Sequence, residues 1–241
     1  KINLVTNSAD KFISKMVISP LTTNSSTLLV GLNSGDLYKV ANANTASPAI
    51  TKYNYIFPGY ISDIRIGSSE NEMLVTVANF NVVSVFYTKD GGVNWSNKEG
   101  NLPDIPVKAV FMNPEDDNEV ILGTYFGVWG TDNFQSANPT WSLYSNGLGR
   151  FKVNHFDYRP SDKTILAVTY GRGAFTARIE NGSLDTKDFK HNTIKNRVFP
   201  NPTRGPLYVK FDDDKNKLVD IEIFDASGKK VMSKSKVKSE E

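Results

Sequence analysis

Val110-Phe-Met-Asn-Pro-Glu-Asp-Asp-Asn-Glu-Val-Ile-Leu-Gly-Thr-Tyr-Phe-Gly127 holds a strand, a polar turn, an apolar strand and a glycine turn. Its apolar runs are too short for a helix. Asn113-Pro114 and Gly127 punctuate them with residues that favour turns. Val128-Trp-Gly-Thr131 supplies a third strand and Trp141-Ser-Leu-Tyr144 a fourth. The same order recurs three times. Val17-Ile-Ser-Pro20 leads to Leu28-Leu-Val-Gly31, Ile64-Arg-Ile-Gly-Ser68 to Met73-Leu-Val75, and Phe156-Asp-Tyr-Arg-Pro160 to Ile165-Leu-Ala-Val-Thr169. Anchored on Pro20, Ser68, Pro114 and Pro160, the step is about 46 to 48 residues, within the range of propeller blades. Four short strands per repeat predict an all-β fold, a run of about four β-propeller blades over residues 1–180. The coil-rich stretch from Ala41 to Pro58 reads as an inter-blade connection, and residues 181–196 as a polar linker.

Composition narrows the chemistry. The 241 residues carry a net charge of +2, and the one basic cluster, Lys229 to Lys238, reads as a solvated run. A nucleic-acid partner is therefore not expected. There is no cysteine, which excludes disulfides, thiolate catalysis and thiolate-bound zinc. With only His155 and His191, a multi-histidine metal site is not expected, and no cofactor is implied. Glu115-Asp-Asp117 and Asp212-Asp-Asp214 lack calcium-loop spacing and read as solvated turns. No apolar run reaches the ~20 residues a membrane-spanning helix needs. The chain starts at Lys1 without an initiator Met or signal peptide, so upstream sequence is expected.

The second repeat carries Thr88-Lys-Asp-Gly-Gly-Val-Asn-Trp95, which resembles the Asp-box of sialidase and sortilin propellers, with Asn94 in place of the usual Thr. In that reading Asp90 accepts backbone N–H bonds in a hairpin turn. Gly92 supplies a positive φ, Trp95 packs on the turn, and Thr88 opens it. The role is structural. Thr131-Asp132 with Trp141 reads as a degraded copy. Val168-Thr-Tyr-Gly-Arg-Gly-Ala-Phe175 is similar to the closing segment of many bacterial propellers of this type. The resemblance implies six to eight blades, so the four visible units read as the C-terminal part of a larger ring.

Propeller topology sorts the loops. Turns between the second and third strands, and links to the next blade, share the end where propellers usually bind ligands. The ligand-binding candidates are Tyr125, Phe126, Tyr170 and Arg172, with Phe80 beside them and Tyr53, Tyr55 and Tyr60 in the first long link. Rings beside an arginine suit stacking on sugars or capture of a peptide. Asp63 and Asp157, each in a first strand, are the candidate acid–base pair for glycoside hydrolysis, which requires two carboxyl groups flanking the bond. Ile64-Arg-Ile-Gly67 does not match the Arg-Ile-Pro segment of sialidases.

A last stretch, Arg197-Val-Phe-Pro-Asn-Pro-Thr-Arg-Gly205, is followed by the alternating Leu207–Phe211 and by Ile221-Glu-Ile-Phe-Asp-Ala-Ser-Gly-Lys229. Pro200 and Pro202 stiffen an extended arm, and Gly205 permits the turn after it. Pro200, Asn201, Pro202, Gly205, Asp225, Gly228 and Lys229 resemble the signature of the type IX secretion system C-terminal sorting domain. Residues 197–241 then correspond to the first strands of a small β-sandwich that stops short of the family's usual length. The resemblance implies the type IX translocon and its sortase-like machinery as partners, and a secreted or outer-surface location in a Gram-negative bacterium, reached through the periplasm. The expected function is that of an exported propeller binding a glycan or surface protein. The alternative is a glycoside hydrolase of sialidase or xyloglucanase type with part of its active site outside residues 1–241.

Overall fold

Each repeat closes on itself as an antiparallel meander. In the computed structural model, which describes residues 10–22, 24–144, 147–179, 197–199, 208–210, 218–224 and 230–238, the first blade comprises β1 (Ile13–Ile18), β2 (Leu28–Leu32), β3 (Leu37–Ala41) and β4 (Ala49–Lys52). The second contains β5 (Ile61–Ile66), β6 (Met73–Val77), β7 (Val85–Thr88) and β8 (Ser96–Asn97). The third contains β9 (Val107–Met112), β10 (Val120–Thr124), β11 (Gly127–Thr131) and β12 (Ser142–Tyr144). The fourth shows three described strands, β13 (Val153–Arg159), β14 (Thr164–Thr169) and β15 (Ala174–Arg178). Ala41 to Pro58 is thus not all connection. It holds the outer strand β4, whose four residues are all exposed and which lacks the apolar alternation that would reveal it.

The first strands of successive blades lie side by side, β1 on β5, β5 on β9 and β9 on β13. They share one irregularity. Register skips a residue between Ile13 and Lys15, Ile61 and Asp63, Val107 and Ala109, and Val153 and His155. The bulged residues are Ser14, Ser62, Lys108 and Asn154. A bulge bends its strand and adds twist, as a strand at the narrow centre of a propeller requires. Ser14 Oγ donates to Ile61 O at 2.7 Å and Ser62 Oγ to Val107 O at 2.6 Å, so two bulges tie one blade to the next.

Alternation along the strands divides the apolar residues between two blade faces. Leu29 and Leu37 of the first blade pack on Ile61, Ile64, Met73 and Val75 of the second. Leu74, Val85 and Tyr87 pack on Val107, Val110, Leu122, Phe134 and Trp141 of the third. Ala109, Phe111 and Ile121 pack on Val153, Phe156 and Ile165 of the fourth. The core is therefore three inter-blade seams and a fourth cluster within the first blade, Val30, Leu32, Tyr38 and Val40. Glycine admits the closest approach: a Cβ on Gly31 would stand 2.5 Å from Ile61 Cγ2, and one on Gly123 would stand 2.8 Å from Val153 Cγ1. Ile13, Met16 and Ile18 occupy the register positions of Ile61, Ile64 and Ile66 but are exposed.

Contacts divide the chain into Lys1–Leu184 and Asp185–Glu241. The second unit has two described hairpins. β16 (Arg197–Phe199) pairs with β17 (Tyr208–Lys210), and β18 (Leu218–Phe224) with β19 (Lys230–Lys238). The basic run expected to be merely solvated is mostly this last strand, with Val237 buried and Lys230 paired to Glu222. Pro200, Asn201, Pro202, Gly205, Asp225, Gly228 and Lys229 lie outside the described residues, as do the linker 181–196, His191 and the Asp212-Asp-Asp214 turn.

Candidate functional site

Asp63 is fully buried at the inner strands, and its carboxylate is occupied. Oδ2 accepts Val110 N–H of the next blade at 3.0 Å, and Oδ1 accepts Ile64 N–H at 3.0 Å. Lys15 Nζ of the preceding blade lies 2.7 Å from Oδ1. Arg65 stands beside it, donating from Nε to Val110 O at 2.8 Å and from a terminal nitrogen to Phe156 O at 3.2 Å. Asp63 and Arg65 thereby link the inner strands of all four blades. Asp157 is exposed, and its Oδ1 accepts Tyr158 N–H. By register Asp63 corresponds to His155 and Arg65 to Asp157. Burial, with the Lys15 and Arg65 charges behind it, holds the His155 imidazole below its usual range, against the opposing pull of Asp63 and Asp157.

The loop end is built by a bond that recurs in every blade. Asn33 N–H donates to Phe12 O, Ala78 to Tyr60, Tyr125 to Pro106 and Tyr170 to Lys152. Each links the residue just after the second strand to one just ahead of the first. These bonds set Phe12, Tyr60, Pro106 and Lys152 at equivalent places, beside turns carrying Phe80, Tyr125, Phe126 and Tyr170. The rings meet across blades. Phe12 and Tyr60 make an edge contact at 6.4 Å, and Phe80 and Tyr125 one at 6.2 Å. Lys152 Nζ sits 4.4 Å from the Tyr125 centroid and 5.7 Å from that of Tyr170. Lys108 Nζ sits 4.8 Å from that of Tyr60, and the Arg172 guanidinium 4.5 Å from that of Phe151. Phe126 is 50% and Tyr170 72% exposed, so two rings present free surface, that of Tyr170 beside Lys152.

The four ligand candidates thus fall at one end, with Lys152 between Tyr125 and Tyr170 and Arg172 on Phe151. Tyr60 joins this belt. Tyr53 and Tyr55 turn away: Tyr53 packs on the core beside Met73, where burial pushes its hydroxyl up to about 12. Tyr55 packs on Phe57, Phe86 and Trp95. Both sit on the seam between the first two blades. Lys108 and Lys152 escaped the sequence reading, although the repeat alignment would have found them. They stand where the other blades carry small polar residues or apolar rings.

A second concavity, a shallow groove of about 640 Å³, runs between the second and third blades, lined by Asn81, Glu99, Leu102 and Asp104 among others. Burial raises the Glu99 carboxyl above its usual range, offset partly by a backbone bond from Ser84 and reinforced by Asp104.

At the other end, the turn between β7 and β8 is closed by its own side chains. Asp90 Oδ1 accepts Thr88 Oγ1–H at 2.7 Å and Asn94 N–H at 3.0 Å, and Oδ2 accepts the Asn94 amide at 2.7 Å. Gly92 has φ 86° and donates to Thr88 Oγ1, while Trp95 Nε1–H returns to Gly92 O. The hydrogen bonds from Asn94 hold the Asp90 carboxyl at about 2. In the third blade the counterpart of Asp90 is Asn133, not Asp132. Asn133 Oδ1 accepts Thr131 Oγ1–H at 2.8 Å and Thr140 N–H at 2.8 Å, because the Thr-x-Asp spacing falls on it.

Residues 197–241 match the family of secretion system C-terminal sorting domains. No curated protein matches the chain in sequence. Among solved structures, an ancestral GH74 enzyme superposes with a TM-score of 0.51 at 14% identity, over 71% of this chain and 24% of the other. Raptor of Chaetomium thermophilum superposes with a TM-score of 0.54 at 11% identity, over 73% of this chain and 16% of the other. The chain therefore spans a quarter or less of either structure, and the likeness concerns fold alone. The protein is a series of β-propeller blades followed by a sorting domain. That domain directs it through the type IX secretion system to the cell surface or the medium.

Proposed function

We propose that this exported propeller is a binding protein whose loop end takes up an extracellular glycan or protein. The observation that carries the reading is the convergence of three blades on one ring. Tyr125 of the third blade meets Phe80 of the second and Lys152 of the fourth, with Phe126 and Tyr170 exposed alongside. Aromatic faces beside cations bind sugars and peptides by stacking and cation–π attraction. The four blades are the C-terminal part of a larger ring in this reading, which the exposed Ile13, Met16 and Ile18 support. Sedimentation of the purified protein with insoluble polysaccharides and surface-protein extracts tests it. Saturable retention that falls on Tyr170→Ala is expected, and no retention on any of them overturns the proposal. For export, deletion of residues 197–241 is expected to abolish surface display, and unchanged display would count against the sorting role.

A glycoside hydrolase is the second reading. Glu99 supports it better than Asp63: it borders an open groove, and burial raises its carboxyl above the usual range, the direction a general acid requires. Asp63 is sealed in the inner-strand network. Release of reducing ends that Glu99→Gln abolishes would establish this reading, and Asp157→Asn tests the remaining sequence candidate.

A further inference from the structure

We infer that the ligand of the loop end is an anionic polysaccharide, held at its acidic groups by Lys108 and Lys152. The inference rests on the binding reading above and specifies its chemistry. The two lysines are the places where the repeat departs from itself. At the bulge, Ser14 and Ser62 reach across to the next blade, but the third blade has Lys108, whose ammonium lies over Tyr60 of the blade before. Ahead of the first strand, Phe12, Tyr60 and Pro106 give way to Lys152, whose ammonium lies over two tyrosines. Burial, then the Lys152 charge, lowers the affinity of Lys108 for its proton. Neither forms an ion pair with a carboxylate among the described residues. Two half-buried like charges at one end of the blades without a counterion raise the energy of the free protein, and an anion bound at both relieves it.

The turn backbone decides between polysaccharide and acidic peptide. Tyr125 and Tyr170 N–H, the groups a peptide strand would use, are already bonded to Pro106 and Lys152 carbonyls. Besides these bonded groups, the loop end offers ring faces and ammonium groups. Those suit pyranose rings bearing carboxylate or sulfate, with the rings stacked and the charges paired.

The test is calorimetric titration of the full chain with oligogalacturonate, its methyl ester, a sulfated galactan oligosaccharide, a neutral cello-oligosaccharide and poly-glutamate. One or both anionic saccharides are expected to bind, at least about tenfold more tightly than the methyl ester or the neutral sugar, and less tightly as salt rises. Lys152→Gln and Lys108→Gln are each expected to weaken that binding about fivefold to tenfold. Lys152→Arg should restore most of it, and thermal unfolding should show each variant folded. The uronate and sulfate arms separate the two acidic groups. If the methyl ester or neutral sugar binds as well as the acids, the anionic class is overturned while the binding reading stands. If poly-glutamate binds best, the polysaccharide assignment is overturned. If nothing binds, the anionic-polysaccharide inference falls, and the binding reading is decided by the sedimentation assay.

Discussion

Asp63 and Asp36 are buried carboxylates that face cations from neighbouring segments. Removing the Asp63 carboxylate would leave Lys15 without its partner and Val110 N–H without an acceptor. Asp63→Ala is therefore expected to cost about 3 kcal/mol in urea unfolding, since a buried charge pair broken on one side leaves the other uncompensated. Asp63→Asn, which keeps an acceptor, should cost less. Asp36 is met by Lys11 and Lys52 at 2.6 Å each. Burial alone would raise its carboxyl, but the two ammonium groups outweigh it and hold it at about 2. Its charged form is thus favoured by folding. The stability it confers is complete above about pH 4 and is lost as pH falls through about 2. Tryptophan fluorescence during acid titration should follow that loss, and Asp36→Asn should be less stable at pH 7 with a flatter profile between pH 4 and 2. Asp90 titrates with the same sign through its turn.

Single strands carry the seams, so packing is where the blades are most easily broken. Valine at Gly31 meets Ile61 at 2.5 Å from its Cβ alone, and Gly31→Val is expected to lower stability by about 2 kcal/mol through overpacking. Trp141→Ala, emptying a fully buried site against Phe134, should cost about 3 to 5 kcal/mol. Both are read from the midpoint of chemical unfolding. At this scale the sequence was mostly legible. Inner strands announce themselves by apolar runs between turn residues, and Thr88–Trp95 by its spacing. Strand β4 did not, because Ala49–Lys52 faces solvent on both sides and leaves no period to read. Topology alone sets the end at which Tyr125 and Tyr170 lie, since both follow a second strand. Tyr53 and Tyr55 follow an outer strand back toward a seam, where Tyr53 meets Met73 and Tyr55 meets Phe86 and Trp95 of the next blade. Lys108 aligns with Ser14, Ser62 and Asn154 in the repeat, but that this position is a bulge is a feature of register, which needs the partner strand.

At the scale of the whole molecule, the first blade leaves its inner strand bare, on a face whose Val30, Leu32, Tyr38 and Val40 are buried. Ile13, Met16 and Ile18 are 52%, 57% and 65% exposed, although their counterparts Ile61 and Ile64 are fully buried. An apolar face of this kind attracts hydrophobic dye and promotes association. Met16→Lys with Ile18→Lys is expected to reduce dye fluorescence and self-association of residues 1–184 while changing unfolding free energy by less than about 0.5 kcal/mol. Dye binding that is unaffected would mean the face is already covered. The meander of each blade has a different consequence, which concerns time rather than energy. Every strand of a blade pairs with its neighbour in sequence, and the inner bulges set the register within the blade itself. A chain arriving outside the cell, with no cysteines to cross-link, need not wait for distant segments to find one another. It can order one repeat after another, each new blade using the last as its template.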